Sequence, residues 1–193
     1  RPEDHYEMRD IYQLYAKHHP TFTADDIYNL SKELDTVIYF EALSEVSVRV
    51  SHDLFISKEM IPFDTDAVDR AINSFLSKDY IRIREIDSFL IFPNVGYEWN
   101  EYLLESFLLS YSKKFALVNN GLSLNNVAGF VVKKSGQIND FIDACAAFLA
   151  DGRIELKKVD ALNYLADMNV ISRRSYKDID LALRRAAQIR RRK

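Results

Sequence analysis

The stretch DTDAVDRAINSFLSKDYIRIREIDSFLIFP, residues 64–93, decides the fold that we expect for this chain. Its first half has an acidic start and apolar residues at helical spacing, which predicts a helix over residues 64–79. Two runs rich in β-branched and aromatic residues follow, residues 80–84 and 88–92, with a short turn between them and Pro93 after them. We therefore predict that the two runs pair as an antiparallel β-hairpin.

A helix followed by a hairpin, after an earlier helix, resembles the second half of a winged-helix domain over roughly residues 36–93. The resemblance rests on the order of the elements and implies a winged-helix-like unit in residues 21–95, preceded by an N-terminal helix in residues 1–20. Residues 96–193 then form a helical region that ends in a basic helix. The expected fold class is mainly α with a small β-hairpin.

The segment that closes the predicted hairpin carries a second resemblance. Residues 89–93, followed by an aromatic helix over residues 98–115, resemble the winged-helix and helical regions that follow the nucleotide-binding core in signalling NTPases. This chain has no nucleotide-binding motif, so the resemblance implies a regulatory or scaffolding part alone.

Helical spacing predicts the other elements. After an N-cap at Thr23, either one long helix or two helices with a break near Asp35 extend to about Ser51. The alternation of Val46, Val48 and Val50 makes a short strand the alternative there. Further helices are expected over residues 98–119, 137–150 and 156–168, and a last one from Tyr176 toward Arg190 with Ser175 as its N-cap.

The same spacing predicts which side chains form the core. Cys145 lies in an apolar run and is expected to be a small buried hydrophobe. Six larger side chains are expected to be mostly buried: Phe75, Leu76, Phe89, Ile91, Leu103 and Phe107.

Composition limits the class of protein. Hydrophobic residues make up 48% and charged residues 28% of 193 residues, and the scarcity of Gly (5) and Pro (4) favours helices over β-sandwiches. A single cysteine allows no intrachain disulfide, so we expect a reducing, cytoplasmic compartment. No apolar run is long enough to cross a membrane. The first residue is Arg rather than Met, from which we expect a processed or excised piece of a longer protein.

Known catalytic signatures are absent. The glycines do not form a phosphate-binding loop, and the histidines have no metal-ligand spacing, so we expect a non-enzyme without metal or small-molecule cofactor. Asp151, Glu155 and Lys157 have the Asp-x-x-x-Glu-x-Lys spacing of some metal-dependent nucleases. Those enzymes carry the Glu-x-Lys on a strand of a mixed sheet, whereas here it enters a predicted helix, which favours a solvated helix start.

Charge is unevenly distributed along the chain. Residues 153–193 contain 12 Lys/Arg and 5 Asp/Glu, a net charge of +7, while residues 1–152 contain 14 and 24, a net charge of −10. The basic end includes the run Arg190-Arg191-Arg192-Lys193.

The last two predicted helices, over residues 156–168 and from Tyr176 toward Arg190, are joined by a connector, and the second one is basic. This order is the outline of a helix-turn-helix.

Two functions remain open. The first is a non-catalytic nucleic-acid-binding module that contacts phosphates through six residues, the basic patch: Arg173, Arg174, Lys177, Arg184, Arg185 and Arg190. The alternative is a protein-interaction or regulatory module of a larger protein or NTPase assembly. It is favoured because helix 64–79 contains four Asp against one Arg and one Lys and would be repelled by phosphates.

Overall fold

Over residues 4–192, the part of the chain that the computed structural model describes, the backbone forms eight α-helices and two three-stranded antiparallel sheets. The fold is helix-rich, as expected, but it contains more β-structure than one hairpin. The helices are α1 (His5–His18), α2 (Ala24–Glu33), α3 (Phe40–Val46), α4 (Thr65–Asn73), α5 (Glu101–Ser110), α6 (Phe141–Asp151), α7 (Lys158–Asp167) and α8 (Ile179–Arg192). The strands are β1 (Thr21–Thr23), β2 (Ser47–Arg49), β3 (Leu54–Ser57), β4 (Tyr80–Arg82), β5 (Phe115–Val118) and β6 (Phe130–Lys133).

The chain divides into two units, each assembled from segments that are distant in sequence. Unit 1 comprises the residues up to Ala71 together with Ser88–Lys113 and Leu122–Val127. Unit 2 comprises Ile72–Asp87, Lys114–Gly121 and the residues from Ala128 onward. Each unit therefore has its own sheet, β1-β3-β2 in unit 1 and β4-β6-β5 in unit 2.

In unit 1, β3 is the central strand and pairs antiparallel with both neighbours. Phe22 of β1 lies opposite Phe55 of β3, and their rings stack with centroids 5.6 Å apart. These rings belong to a core that also contains Met8 and Tyr12 of α1 and Leu43 of α3. Burial of these apolar side chains holds the two helices against the sheet.

Helix α2 begins directly after β1 because Thr23 and Asp26 form a capping box. Thr23 Oγ1 accepts a hydrogen bond from the Asp26 N–H (3.2 Å), and Asp26 Oδ2 accepts one from the Thr23 N–H (2.7 Å). The predicted N-cap is confirmed. The alternatives with two helices and a strand are also confirmed, since Asp35 has a φ of 50° after α2 and Ser47–Arg49 forms β2.

A buried guanidinium ties three parts of unit 1 together. Arg49 donates to the His52 carbonyl from Nε (3.1 Å) and Nη2 (2.6 Å), to the Ser123 carbonyl from Nη1 (3.3 Å) and to the Leu124 carbonyl from Nη2. Its backbone N–H donates to Ser106 Oγ of α5 (2.8 Å). A buried cation is costly unless its donors are bonded, so these bonds fix the loop after β2, the segment near residue 123 and α5 to one another.

Glu105 of α5 is a buried carboxyl group beside this guanidinium. Both residues line a small cavity of about 20 Å³. Burial raises the pKa of Glu105 to about 7, and the positive charge of Arg49 opposes that rise. Burial lowers the pKa of Arg49, and Glu105 is the largest of the charges that oppose this.

In unit 2, β6 is the central strand, and its Val132 lies between Tyr80 of β4 and Ala116 of β5. Gly129, just before β6, has a φ of 113°, and a Cβ there would lie 2.4 Å from the Val118 carbonyl oxygen. The close approach of β5 to this turn therefore requires glycine. Side chains of α6, α7 and α8 form one core with β6, in which Cys145 is fully buried, as predicted.

The prediction that residues 80–84 and 88–92 pair as a β-hairpin is wrong. Tyr80–Arg82 forms a strand, but it pairs with Phe130–Lys133 rather than with residues 88–92. Ile83–Glu85 turns into a 3₁₀ helix, and residues 88–92 form no strand. The Phe92 and Trp99 rings lie 4.9 Å apart, and Trp99 Nε1 donates to the Pro93 carbonyl (2.7 Å), which holds this segment as a loop.

Two other boundaries differ from those predicted. Helix α4 ends at Asn73 rather than near residue 79. Helix α5 ends at Ser110, and the end of the predicted helix 98–119 forms β5 instead. Ser112 and Lys113 between them bond to the buried Asp69 carboxylate, from Ser112 Oγ (2.6 Å) and the Lys113 N–H (3.0 Å). These bonds turn the chain out of the helix.

The core prediction is partly confirmed. Leu103 and Phe107 are fully buried, while Phe75, Leu76 and Phe89 are half-buried. Ile91 is 59% exposed, so its predicted burial is wrong. It was assigned to the inner face of a strand that does not form.

Replacing Glu105 by Gln tests the buried carboxyl group. The pKa of the Glu105 carboxyl group rises from 4.5 to about 7 on folding, because burial favours its neutral form. The protonated group therefore contributes its full stabilisation to the free energy of unfolding below pH 4.5, and this contribution is lost as the pH rises through 7. We expect the free energy of unfolding of the wild type to lose up to about 3 kcal/mol from this group over that window, and Glu105→Gln to lack this loss. The measurement is urea unfolding at several pH values. Glu98→Gln, at an exposed glutamate, should keep the wild-type pH dependence; equal profiles for all three proteins would contradict the assignment.

Candidate nucleic-acid interface

The uneven charge of the sequence is divided between the two units. Unit 2 contains 18 Lys/Arg and 11 Asp/Glu, a net charge of +7. Unit 1 contains 8 Lys/Arg and 18 Asp/Glu, a net charge of −10. A polyanion is therefore attracted to unit 2 and repelled by unit 1.

Three residues of the basic patch lie in the connector before α8. Arg173, Arg174 and Lys177 are all exposed. Arg174 pairs with Asp167 at 3.2 Å, between two well-exposed side chains, so the pair is weak. Arg173 and Lys177 form no ion pair with another described residue.

Helix α8 begins later than predicted. It starts at Ile179 rather than at Tyr176, so Ser175 is not its N-cap and Lys177 does not share a helix face with Arg184. Tyr176 is buried, with its ring 5.3 Å from that of Phe141, and this contact holds the chain in a turn before the helix. The connector spans residues 168–178, so the short turn of a helix-turn-helix is not present.

The arginines of α8 fall on different faces. Ile179, Ala182 and Ala186 are fully buried and define the inner face. At about 100° per residue, Arg184 and Arg191 lie on the opposite face, and both are exposed. Arg192 is also exposed, while Lys193 lies outside the described residues.

Arg185 flanks the inner face and binds within the unit. Its Nη1 lies 2.5 Å from Asp143 Oδ1 and 3.8 Å from Asp140 Oδ1. Asp140 is the N-cap of α6 and accepts from the Asp143 N–H (2.7 Å). The two carboxylates suit the positive end of the α6 dipole, and Arg185 ties them to α8.

Arg190 lies at the other end of α6 and is bonded to backbone. Nη2 donates to the Leu149 (2.9 Å) and Gly152 (2.6 Å) carbonyls, Nε to Ala150 (3.2 Å) and Nη1 to Ile154 (3.0 Å). The last carbonyls of a helix lack partners within the helix and carry partial negative charge. Arg190 therefore closes the C-terminal end of α6, and these four hydrogen bonds use four of its five N–H donors.

The structure thus separates the basic patch into two groups. Arg173, Arg174, Lys177 and Arg184 are exposed, whereas Arg185 and Arg190 hold α8 to α6. Arg191 and Arg192 join the exposed group, although they were not among the predicted site residues. A helical wheel drawn from the sequence of α8 and centred on its apolar positions separates Arg184 and Arg191 from Arg185 and Arg190. The sequence therefore contained a signal that distinguishes the exposed arginines from the bonded ones.

The Asp-x-x-x-Glu-x-Lys residues are bonded to other partners rather than grouped around a metal position. Asp151 Oδ2 accepts from Lys78 Nζ (2.6 Å) and from the Tyr80 hydroxyl (2.8 Å), and Glu155 pairs with Lys157 at 2.5 Å. Burial, and then the bond to Asp151, raise the pKa of Tyr80. Glu155 and Lys157 lie in neither helix nor strand.

Among residues 4–192 no three His, Cys, Asp or Glu side chains are grouped to hold a metal. No helix in the same range is long and apolar enough to cross a membrane.

Comparisons with protein-family models, with curated proteins and with solved structures find no match to this chain.

Replacing Arg190 by Ala tests its structural role. Loss of the bonds to the end of α6 should lower the free energy of unfolding by about 2–3 kcal/mol, because charged donors are removed from partly buried carbonyls. Arg191→Ala, the neighbouring control at an exposed position, should change it by less than about 0.5 kcal/mol. Urea unfolding at neutral pH measures both. Equal effects of the two variants would show that Arg190 does not close α6.

Proposed function

We propose that unit 2 is a non-catalytic nucleic-acid-binding module. Its contact surface is the exposed basic face, defined as Arg173, Arg174, Lys177, Arg184, Arg191 and Arg192. Arg185 and Arg190, two residues of the sequence-based patch, stay outside this face and support it from within by fixing α8.

The observation that carries the proposal is the net charge of +7 on unit 2, together with exposed arginines on the outer face of α8. Phosphate neutralisation by such side chains releases counterions, which supplies sequence-independent affinity that falls with salt. Asp180 is the acidic residue on this side of α8, and Lys158 Nζ partly neutralises it at 3.0 Å.

Exposed aromatic rings decide whether duplex or single-stranded nucleic acid is the expected ligand of this face. Single-stranded nucleic acid is bound with exposed aromatic rings on which bases stack. Among the described residues of unit 2, no aromatic side chain is exposed. We therefore expect contact with the phosphates of a duplex, with little preference for base sequence.

Helix α4 does not serve as a recognition helix in this proposal. Its Asp69 is fully buried and bonded to Ser112 and Lys113, and Asp66 is bonded to Lys113 Nζ at 3.1 Å. The alternative function, a protein-interaction or regulatory module of a larger assembly, is favoured for unit 1 by its net charge of −10.

A binding titration with duplex and single-stranded oligonucleotides at two salt concentrations tests the proposal. The wild type should bind duplex at low salt, and Arg184→Glu/Arg191→Glu should bind more weakly. If two phosphate contacts are lost, the log–log salt slope should fall by about 1.8.

The matched control is Lys32→Glu/Arg70→Glu, which changes the net charge equally but on exposed residues of unit 1. It should keep most of the wild-type affinity. The proposal fails if the wild type does not bind duplex at low salt, or if the control weakens binding as much as the α8 variant.

A further inference from the structure

Asn120-Gly121 is the one place in the chain where glycine follows asparagine, and it lies in the irregular segment after β5. Both residues are exposed. In such a pair the backbone nitrogen of the glycine can attack the side-chain carbonyl carbon of the asparagine, because no Cβ on the second residue obstructs the approach. The reaction needs an asparagine side chain that is free to turn and a glycine nitrogen that is accessible.

The structure meets both requirements. The Asn120 carboxamide forms no hydrogen bond with another described residue. A Cβ on Gly121 would meet no heavy atom within 4 Å beyond its chain neighbours, so the space around its backbone is open. The φ of Gly121 is 104°, a conformation that glycine adopts without strain. Its N–H donates to Asn119 Oδ1 (3.1 Å), and this bond is exposed, so water can replace it.

Asp151-Gly152 is a comparison within the same unit, because a side-chain carboxyl group before glycine can close the same ring. Here the fold holds both reacting groups. Asp151 Oδ2 accepts from Lys78 Nζ (2.6 Å) and from the Tyr80 hydroxyl (2.8 Å). The Gly152 N–H donates to the Phe148 carbonyl (3.0 Å) at the end of α6. Of these two pairs, the fold therefore leaves only the asparagine pair free to react.

We propose that Asn120-Gly121 is a site of autocatalytic deamidation. The Gly121 nitrogen loses its proton to hydroxide and forms a bond to Asn120 Cγ, which closes a five-membered succinimide ring. The Cγ–Nδ2 bond breaks, and this nitrogen leaves as ammonia after it takes a proton from water. One water molecule then opens the ring. Cleavage at Cγ gives aspartate, and cleavage at the main-chain carbonyl carbon gives isoaspartate.

The reaction changes the charge and the backbone of unit 2. Either product has a carboxylate in place of a neutral amide, so the net charge of unit 2 falls from +7 to +6. Isoaspartate also directs the main chain through Cγ and lengthens it by one carbon. The site shares no residue with the exposed basic face, and its chemistry is independent of nucleic-acid binding.

Peptide mass spectrometry of the intact chain, digested after incubation at neutral and at mildly alkaline pH, tests the proposal. Fragment spectra should show an acidic residue in place of Asn120, formed faster at the higher pH because the attacking nitrogen must lose a proton. Asn125 is the internal control, since it is exposed but is followed by Asn126 instead of glycine. No conversion at Asn120, or equal conversion at Asn125, would overturn the proposal.

Variants separate the two reacting groups. Gly121→Ala should slow the reaction about tenfold or more, which corresponds to about 1.4 kcal/mol in the barrier, because its Cβ obstructs the attack. Alanine is strained at this φ, so Asn120→Gln is a second variant that keeps Gly121. It should abolish the conversion, since its longer side chain would have to close a six-membered ring. Asn125→Gln should leave the rate at Asn120 unchanged. Wild-type rates in both Gly121→Ala and Asn120→Gln would contradict the assignment.

The contrast with Asp151 is tested by unfolding. Enzymatic methylation of isoaspartate, followed by peptide mapping, should detect isoaspartate at residue 120 in both the folded and the urea-unfolded chain. At residue 151 it should detect isoaspartate in the unfolded chain alone. Formation at residue 151 of the folded chain, at the rate found at residue 120, would show that the fold does not select the site.

Discussion

Both units depend on the same interaction, an arginine guanidinium that donates hydrogen bonds to several backbone carbonyls. In unit 1, Arg49 joins the loop after β2 to the carbonyls of Ser123 and Leu124. In unit 2, Arg190 joins α8 to the end of α6. A guanidinium has five donors in a rigid plane and stays charged when buried, so it can satisfy several carbonyls that would otherwise lose water. Segments that are distant in sequence are connected in this way.

This use of arginine determines which charges remain for partners. Arg185 and Arg190 are bonded within unit 2, while Arg184 and Arg191 face away from the core. In unit 1, Arg49 is buried and Arg9 is paired, so the exposed charge is mostly acidic. The two units thus carry net charges of opposite sign, and the proposed function assigns phosphates to unit 2.

The helical spacing of apolar residues was sufficient to predict most helices, but it did not predict which strands pair with segments distant in sequence. The spacing of apolar residues located α6 and α7 to within a few residues, because their inner faces are continuous. Within the predicted strand 80–84, residues 80–82 do form a strand and residues 83–84 enter a 3₁₀ helix. The partner of this strand is β6, some 48 residues beyond β4, measured from Arg82 to Phe130. The nearer candidate, residues 88–92, is held by Trp99 instead, and no local signal distinguishes these outcomes. For the site, sequence analysis located the basic end but grouped Arg184 and Arg185 in one patch, although neighbours in sequence differ by about 100° on a helix and lie on different faces.

The most direct test is an NMR titration in which amide and arginine side-chain spectra are recorded as duplex DNA is added. It tests whether the exposed arginines bind phosphates and the hydrogen-bonded arginines support the fold. We expect signals of residues 173–177 and the Nε–H signals of Arg184 and Arg191 to shift, while the Nε–H signal of Arg190 stays unchanged. Shifts confined to unit 1, or a shift of Arg190 without one of Arg184, would contradict this division of the arginines.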